Sequence, residues 1–145
     1  MIMSVRINKN DRMYETLCRV LKKNEIAFEK TDGLCVCCSV GGKDGEIRMI
    51  FCADCSKELF ALYAPMVSHI PQECISDVSL AICMLNNRLQ DGSFCLDLSA
   101  RMVYFRMTYS FYNSEPTEDG FAYMLSCAAE TVERYRMSFG KLCMC

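Results

Sequence analysis

Apolar positions recur along this chain with two different periods, one helical and one extended. Met13, Leu17, Val20 and Leu21 fall at i, i+4, i+7 and i+8, which places them on one face of a helix. Asn10 and Asp11 are suitable N-caps for it, and Lys22, Lys23 and Asn24 suit a solvated C-terminus where cations meet the helix dipole. Residues 26–30 read as a short extended lead-in and Asp32-Gly33 as a turn. Three strand patterns follow. Residues 34–40 are apolar on both faces. Residues 46–52 alternate, with Ile47, Met49 and Phe51 on one side and Glu46 and Arg48 on the other. Residues 59–64 form a third strand, ended by Pro65. The Gly-Gly-Lys-Asp-Gly run at 41–45 supplies the reversal between the first two strands.

The helical period returns at residues 71–89, where Ile75, Val78, Ile82, Leu85 and Leu89 share a stripe and Pro71 is tolerated in the first turn. Asn86-Asn87 and Asp91-Gly92 end that helix. Two more strands are expected, residues 93–98 with Phe94, Leu96 and Leu98 on one face, and residues 102–109 with Val103, Phe105, Met107 and Tyr109 on one face. A last helix begins near Thr117, carries the stripe Phe121, Met124, Leu125, Ala128, Val132 and Tyr135, and stops at Gly140. The order α-β-β-β-α-β-β-α, with short links and no βαβ spacing, predicts an α+β fold. Its antiparallel sheet should have about five strands, with helices on one face. The whole chain, residues 1–145, is expected to be a single domain with loose termini at 1–10 and 140–145.

Composition narrows the function. With 52% hydrophobic and 23% charged residues, disorder is excluded as the ruling character. A net charge of −2 gives no basic footprint for nucleic acid. The N-terminal stretch is broken by Ser4, Arg6 and Asn8, so it has no signal-peptide core, and no run approaches the ~20 apolar residues of a membrane span. The expected compartment is the cytoplasm, where thiols stay reduced. The 12 cysteines and 11 methionines then read as soft core fillers.

Two CxxC pairs, Cys35/Cys38 and Cys52/Cys55, lie at a spacing close to that of a four-thiolate zinc site. Extension of residues 34–52 opposes that geometry, because Cys35 and Cys38 then point to opposite sides of a strand. If Ile47 faces Val40 across the hairpin, Cys35 lies opposite Cys52, and that pair is open to oxidation. A thioredoxin-like site is disfavoured by Asp54, whose negative charge opposes a thiolate. His69, the single histidine, has no identifiable catalytic partners. Glu73 and Asp77 fit a helix first turn better than an acid–base pair. The glycine-rich loop leads into a strand and lacks the Lys-Ser/Thr of a phosphate loop. No catalytic residue and no cofactor is expected.

Sorting strand residues by parity gives one face with Val36, Met49, Phe51, Phe94, Leu96, Val103, Phe105 and Met107, which can bury against the helices. The other face collects Cys35, Cys37, Ser39, Arg48, Cys95, Asp97, Met102, Tyr104, Arg106 and Thr108. Tyr, Met and Arg are favoured at protein interfaces, so Met102, Tyr104 and Arg106 are the candidate partner-binding residues.

The passage Leu85-Asn-Asn-Arg-Leu-Gln-Asp-Gly-Ser-Phe-Cys-Leu-Asp-Leu98, followed by Met102-Val-Tyr-Phe-Arg106, resembles the bacterial YbjN-like family, similar in fold to type III secretion chaperones. Asn86, Asn87, Gly92-Ser-Phe94, Asp97 and the Val103…Arg106 strand carry the resemblance. It implies dimerisation and a binding or regulatory role without catalysis. The expected function is therefore a non-enzymatic, chaperone-like module, a homodimer that binds a polypeptide and neither nucleic acid nor membrane. The alternative is a thiol-based zinc-binding or redox-responsive protein using Cys35, Cys38, Cys52 and Cys55.

Overall fold

The computed structural model describes residues 2–31, 35–54 and 56–144, with side chains from residue 11 onward. In chain order the elements are α1 (Ile2–Lys23), β1 (Phe28–Thr31), β2 (Cys35–Gly42), β3 (Gly45–Asp54) and β4 (Leu59–Val67). A single 3-10 turn (Gln72–Cys74) leads into α2 (Ile75–Asn86), β5 (Ser93–Asp97), β6 (Met102–Ser110) and α3 (Glu118–Leu142). The strands form one sheet in the order β1-β2-β3-β4-β6-β5, antiparallel throughout. The expected α+β architecture is observed, with six strands where about five were expected.

The extra strand is β1. Its residues Glu29, Lys30 and Thr31 are exposed, so it carries no apolar alternation of its own. Pairing with β2, from Phe28↔Cys38 to Thr31↔Cys35, makes it a strand. Several element bounds also differ from expectation, among them α2, which runs Ile75–Asn86 where residues 71–89 were expected, and β5, which stops at Asp97 before exposed Leu98. α1 begins at Ile2, ahead of Asn10 and Asp11, because nothing in residues 2–9 breaks a helix. β4 runs through Pro65 to Val67. Its ladder with β3 ends at Ile50↔Tyr63, and a register shift lies between Pro65 and Val67, so no ladder bond is lost at the proline. α3 continues past Gly140, a residue that costs only about 1 kcal/mol in a helix, because Phe139 is fully buried there.

Each amphipathic pattern faces the same core. Met13, Leu17, Val20 and Leu21 of α1 are buried, as are Phe121, Met124, Leu125, Ala128 and Val132 of α3. From the sheet they meet Val36, Ile47, Met49, Phe51, Phe60, Leu62, Phe94, Val103, Phe105 and Met107. The aromatic rings pack edge to face, Phe60 on Phe121 with centroids 5.1 Å apart and Phe94 on Phe139 also at 5.1 Å. Gly92 is fixed by this core. Its φ of +74° suits glycine, and a Cβ there would fall 2.3 Å from the Phe105 ring.

Side chains outside the core hold the connections. Asn86 closes α2 onto the edge strand β5: its Nδ2 donates to Phe94 O (3.0 Å) and its Oδ1 accepts from Phe94 N (2.8 Å). Thr117 caps α3 by accepting from Gly120 N at 3.0 Å. Helices occupy one side of the sheet, and the other side is open.

Candidate protein-binding face

The open face follows from strand register. One row crosses all six strands: Glu29, Cys37, Ile50, Tyr63, Arg106 and Ser93 stand side by side. The next row is Thr31, Cys35, Cys52, Ala61 and Thr108. On the other side of the first row, Pro65, Tyr104 and Cys95 are neighbours, with Met102 beside Asp97 beyond them. Cys35, Cys37, Ile50, Cys52, Ala61, Tyr63, Pro65 and Tyr104 are all partly exposed. The middle of the face is thus apolar and thiol-rich, and Glu29, Arg48, Arg106 and Thr108 make its exposed polar rim.

Met102, Tyr104 and Arg106 lie on this face, on the same side of β6. Tyr104 stacks at a tilt on Tyr63, centroids 6.0 Å apart. Its hydroxyl pKa is raised by burial first and then by the adjacent Cys95. Arg106 is exposed and forms no ion pair among the described residues. Beside it runs an open groove of about 400 Å3, whose lining includes Asp54, Lys57, Tyr63, Asp91, Arg106 and Thr108. Sequence parity missed Ile50, Ala61, Tyr63 and Pro65, which form the centre of the face. The available signal was loss of alternation: Met49 to Ala53 and Leu59 to Val67 are apolar almost without interruption, as in strands covered on both sides.

The cysteines divide between faces. Val40 pairs with Ile47, so Cys35 stands opposite Cys52 on the open face, as the hairpin register predicts. The two side chains are close enough for Cys35 to act on the Cys52 thiol. The Cys52 thiol is pushed up to about 12 by burial first, then by the side chain of Cys35 and the nearby Cys37. Cys38 faces the helices at 5% exposure, and burial followed by proximity to Cys37 pushes its thiol up to about 11. The four-thiol set is therefore split between the two sides of β2, with Cys55 outside the described residues. Among the described residues no cluster of three or more metal-ligating side chains is gathered. His69 is exposed in the link after β4 with φ of +57°, and Glu73 and Asp77 are exposed near the start of α2. No helix among the described residues is long and apolar enough to cross a membrane.

No protein-family model and no curated protein sequence matches this chain. Solved structures do match its shape. A TM-score of 0.68 relates it to YbjN of E. coli, a candidate transcription regulator, at 12% identity over 88% of this chain and 90% of that one. The chain has the YbjN-like fold. The same architecture occurs in a chain of the ExsC–ExsE complex, with a TM-score of 0.66 and 13% identity over 88% of this chain and 93% of that one. It occurs again in a chain of the HopA1–SchA chaperone–effector complex, with a TM-score of 0.61 and 16% identity over 86% and 94%. The resemblance expected from the Asn86–Arg106 passage is thus borne out in the fold.

Proposed function

We propose that this chain is a non-enzymatic, cytoplasmic protein-binding module of chaperone-like type that acts as a homodimer and holds a polypeptide against its open sheet face. The observation that carries this reading is the apolar centre of that face, Ile50, Ala61, Tyr63, Pro65 and Tyr104, bordered by the polar Glu29, Arg48, Arg106 and Thr108. A face that only met water would alternate to polar residues at these positions. Contiguous exposed apolar area bounded by polar residues is the usual form of a protein contact surface. Met102 and Tyr104 supply apolar and aromatic contact, and Arg106 supplies an exposed cation lining the groove. Two solved structures of similar fold are two-protein complexes, one of them chaperone with effector, which agrees with a polypeptide ligand. The chain acts as one domain over residues 1–145.

The homodimer has a separate surface. Leu80 and Met84 on the outer side of α2 are 62% and 56% exposed, and Cys83 between them is exposed as well. They lie at i, i+3 and i+4, one strip on one helix. A dimer formed there leaves the sheet face to the polypeptide.

A photo-crosslinking residue placed at Tyr104 tests the reading, with the same residue at exposed Glu15 as control. Discrete polypeptide adducts from Tyr104, absent from Glu15 and reduced by Met102→Glu, are expected. Identical adducts from both positions would remove the open face as the binding surface. Of the alternative thiol reading, the geometry favours only the Cys35–Cys52 pair, since Cys38 sits across the sheet.

A further inference from the structure

We infer that Cys35 and Cys52 form a reversible disulfide across β2 and β3, a redox modification site on the open face. Register is the first support. The hairpin reverses through Lys43 and Asp44 and closes on Gly42↔Gly45. A two-residue loop closes on a hydrogen-bonded pair, and hydrogen-bonded and non-hydrogen-bonded pairs alternate along an antiparallel ladder. Counting from Gly42↔Gly45, Cys35↔Cys52 falls on a non-hydrogen-bonded site. Opposed Cα atoms at such sites are about 4.5 Å apart, and their side chains lean together. That distance lies at the short end of the range a disulfide accepts, where strain leaves the bond easier to reduce. The second support is proximity, since the two residues are direct cross-strand partners and the Cys35 side chain is near enough to raise the Cys52 thiol. The third is access. Both residues are partly exposed on the side without helices, whereas Cys18, Cys38 and Cys74 are buried.

The other described thiols do not compete on equal terms. Cys37 is diagonal to Cys52, because its direct partner is Ile50. Cys95 lies on β5, with β6 and β4 between it and β3. The oxidant is a small disulfide such as oxidised glutathione. The Cys35 thiolate attacks one of its sulfurs, forming a mixed disulfide and releasing one small thiolate. Cys52 Sγ then attacks the Cys35 sulfur, its proton passes through water to the departing second small thiolate, and the protein disulfide closes. One small disulfide is consumed, two small thiols form, and the protein loses two hydrogens. Cys52, whose thiol resists ionisation chiefly because it is partly buried, suits the resolving role in which it loses its proton only as the new bond forms.

The test uses the full chain alone, so its outcome is independent of whether the face takes polypeptide. Reduced protein is equilibrated in glutathione buffers of increasing oxidised fraction, quenched in acid, alkylated and digested with trypsin without reduction. Mass spectrometry should show peptide 31–43 joined to peptide 49–57, with the link reversed by excess reduced glutathione. The link should vanish in Cys35→Ser and in Cys52→Ser and persist in Cys37→Ser, Cys38→Ser and Cys55→Ser, with circular dichroism confirming that each variant is folded. Protein that stays reduced across the series, a link that survives Cys35→Ser, or only intermolecular links would overturn the inference.

Discussion

Asp97 shows how one side chain ties a sequence signal to a measurable property. It ends β5, and its Oδ1 accepts from Ala100 N at 3.0 Å and from Ser99 Oγ at 3.1 Å, which shapes the turn into β6. These bonds favour the charged form, so its carboxyl is held below the usual 3.8, with the Ala100 amide the largest cause and Ser99 next. Asp54 is lowered in the same way, chiefly by the Ser56 side chain. A folded-state pKa below the unfolded one means that the stabilisation is complete above the unfolded value and fades as pH falls through the folded value. Stability should therefore decline below about pH 4, near the ordinary 3.8 of an unfolded aspartate. In Asp97→Asn that acid slope should be shallower, and in the wild-type protein carbon-detected NMR should show Asp97 titrating below a reference aspartate. An Asp97 that titrates at the reference value would show that the turn does not depend on its charge.

At the scale of elements, Asn86 links the two halves of the passage that carries the family resemblance. Its amide pairs with both backbone groups of Phe94, acting as a further strand beside the edge of β5. Asn86→Ala should cost about 1–2 kcal/mol, a typical loss for two part-solvated hydrogen bonds. The Phe94 amide should exchange with deuterium faster than those of β6, while unchanged exchange there would mean that water replaces the side chain without loss. Much of this architecture was legible in the chain. The α1 and α3 stripes, Phe94 of β5, the buried face of β6, and the Val40↔Ile47 register all follow from period, whereas Leu98, expected on the same face as Phe94, is 67% exposed beyond the end of β5. What escaped has a common physical origin: tertiary contact outweighed the local signal. β1 is a strand because β2 pairs with it, β4 tolerates Pro65 because its neighbour's ladder has already ended, and α3 passes Gly140 because Phe139 is anchored on Phe94. For the candidate face, Met102, Tyr104 and Arg106 were readable from β6 alone, where alternation is clean. Ile50, Ala61 and Tyr63 were not, since strands apolar on both sides do not tell which side is open.

For the whole molecule, the decisive question is how two apolar surfaces on opposite parts of one chain are used. Leu80 and Met84 are more than half exposed on α2, yet neither contributes to the core. If the protein were a monomer, replacing them by Asp would disturb nothing buried, and such surface changes usually fall within about 0.5 kcal/mol. In a homodimer that buries the strip, the same substitutions place charge in an interface and remove the contribution of association to stability. The proposed homodimer therefore makes a two-part prediction for Leu80→Asp/Met84→Asp. Light scattering coupled to size-exclusion chromatography should shift from twice the 16.5 kDa chain mass to the chain mass. The melting temperature should fall and also lose its dependence on protein concentration. Tyr104→Glu, on the sheet face, should remain dimeric and lose only polypeptide binding. A double variant indistinguishable from wild type in mass and melting would place the interface elsewhere. A Tyr104→Glu monomer would show instead that the open sheet face is where two copies meet, leaving no separate face for a polypeptide.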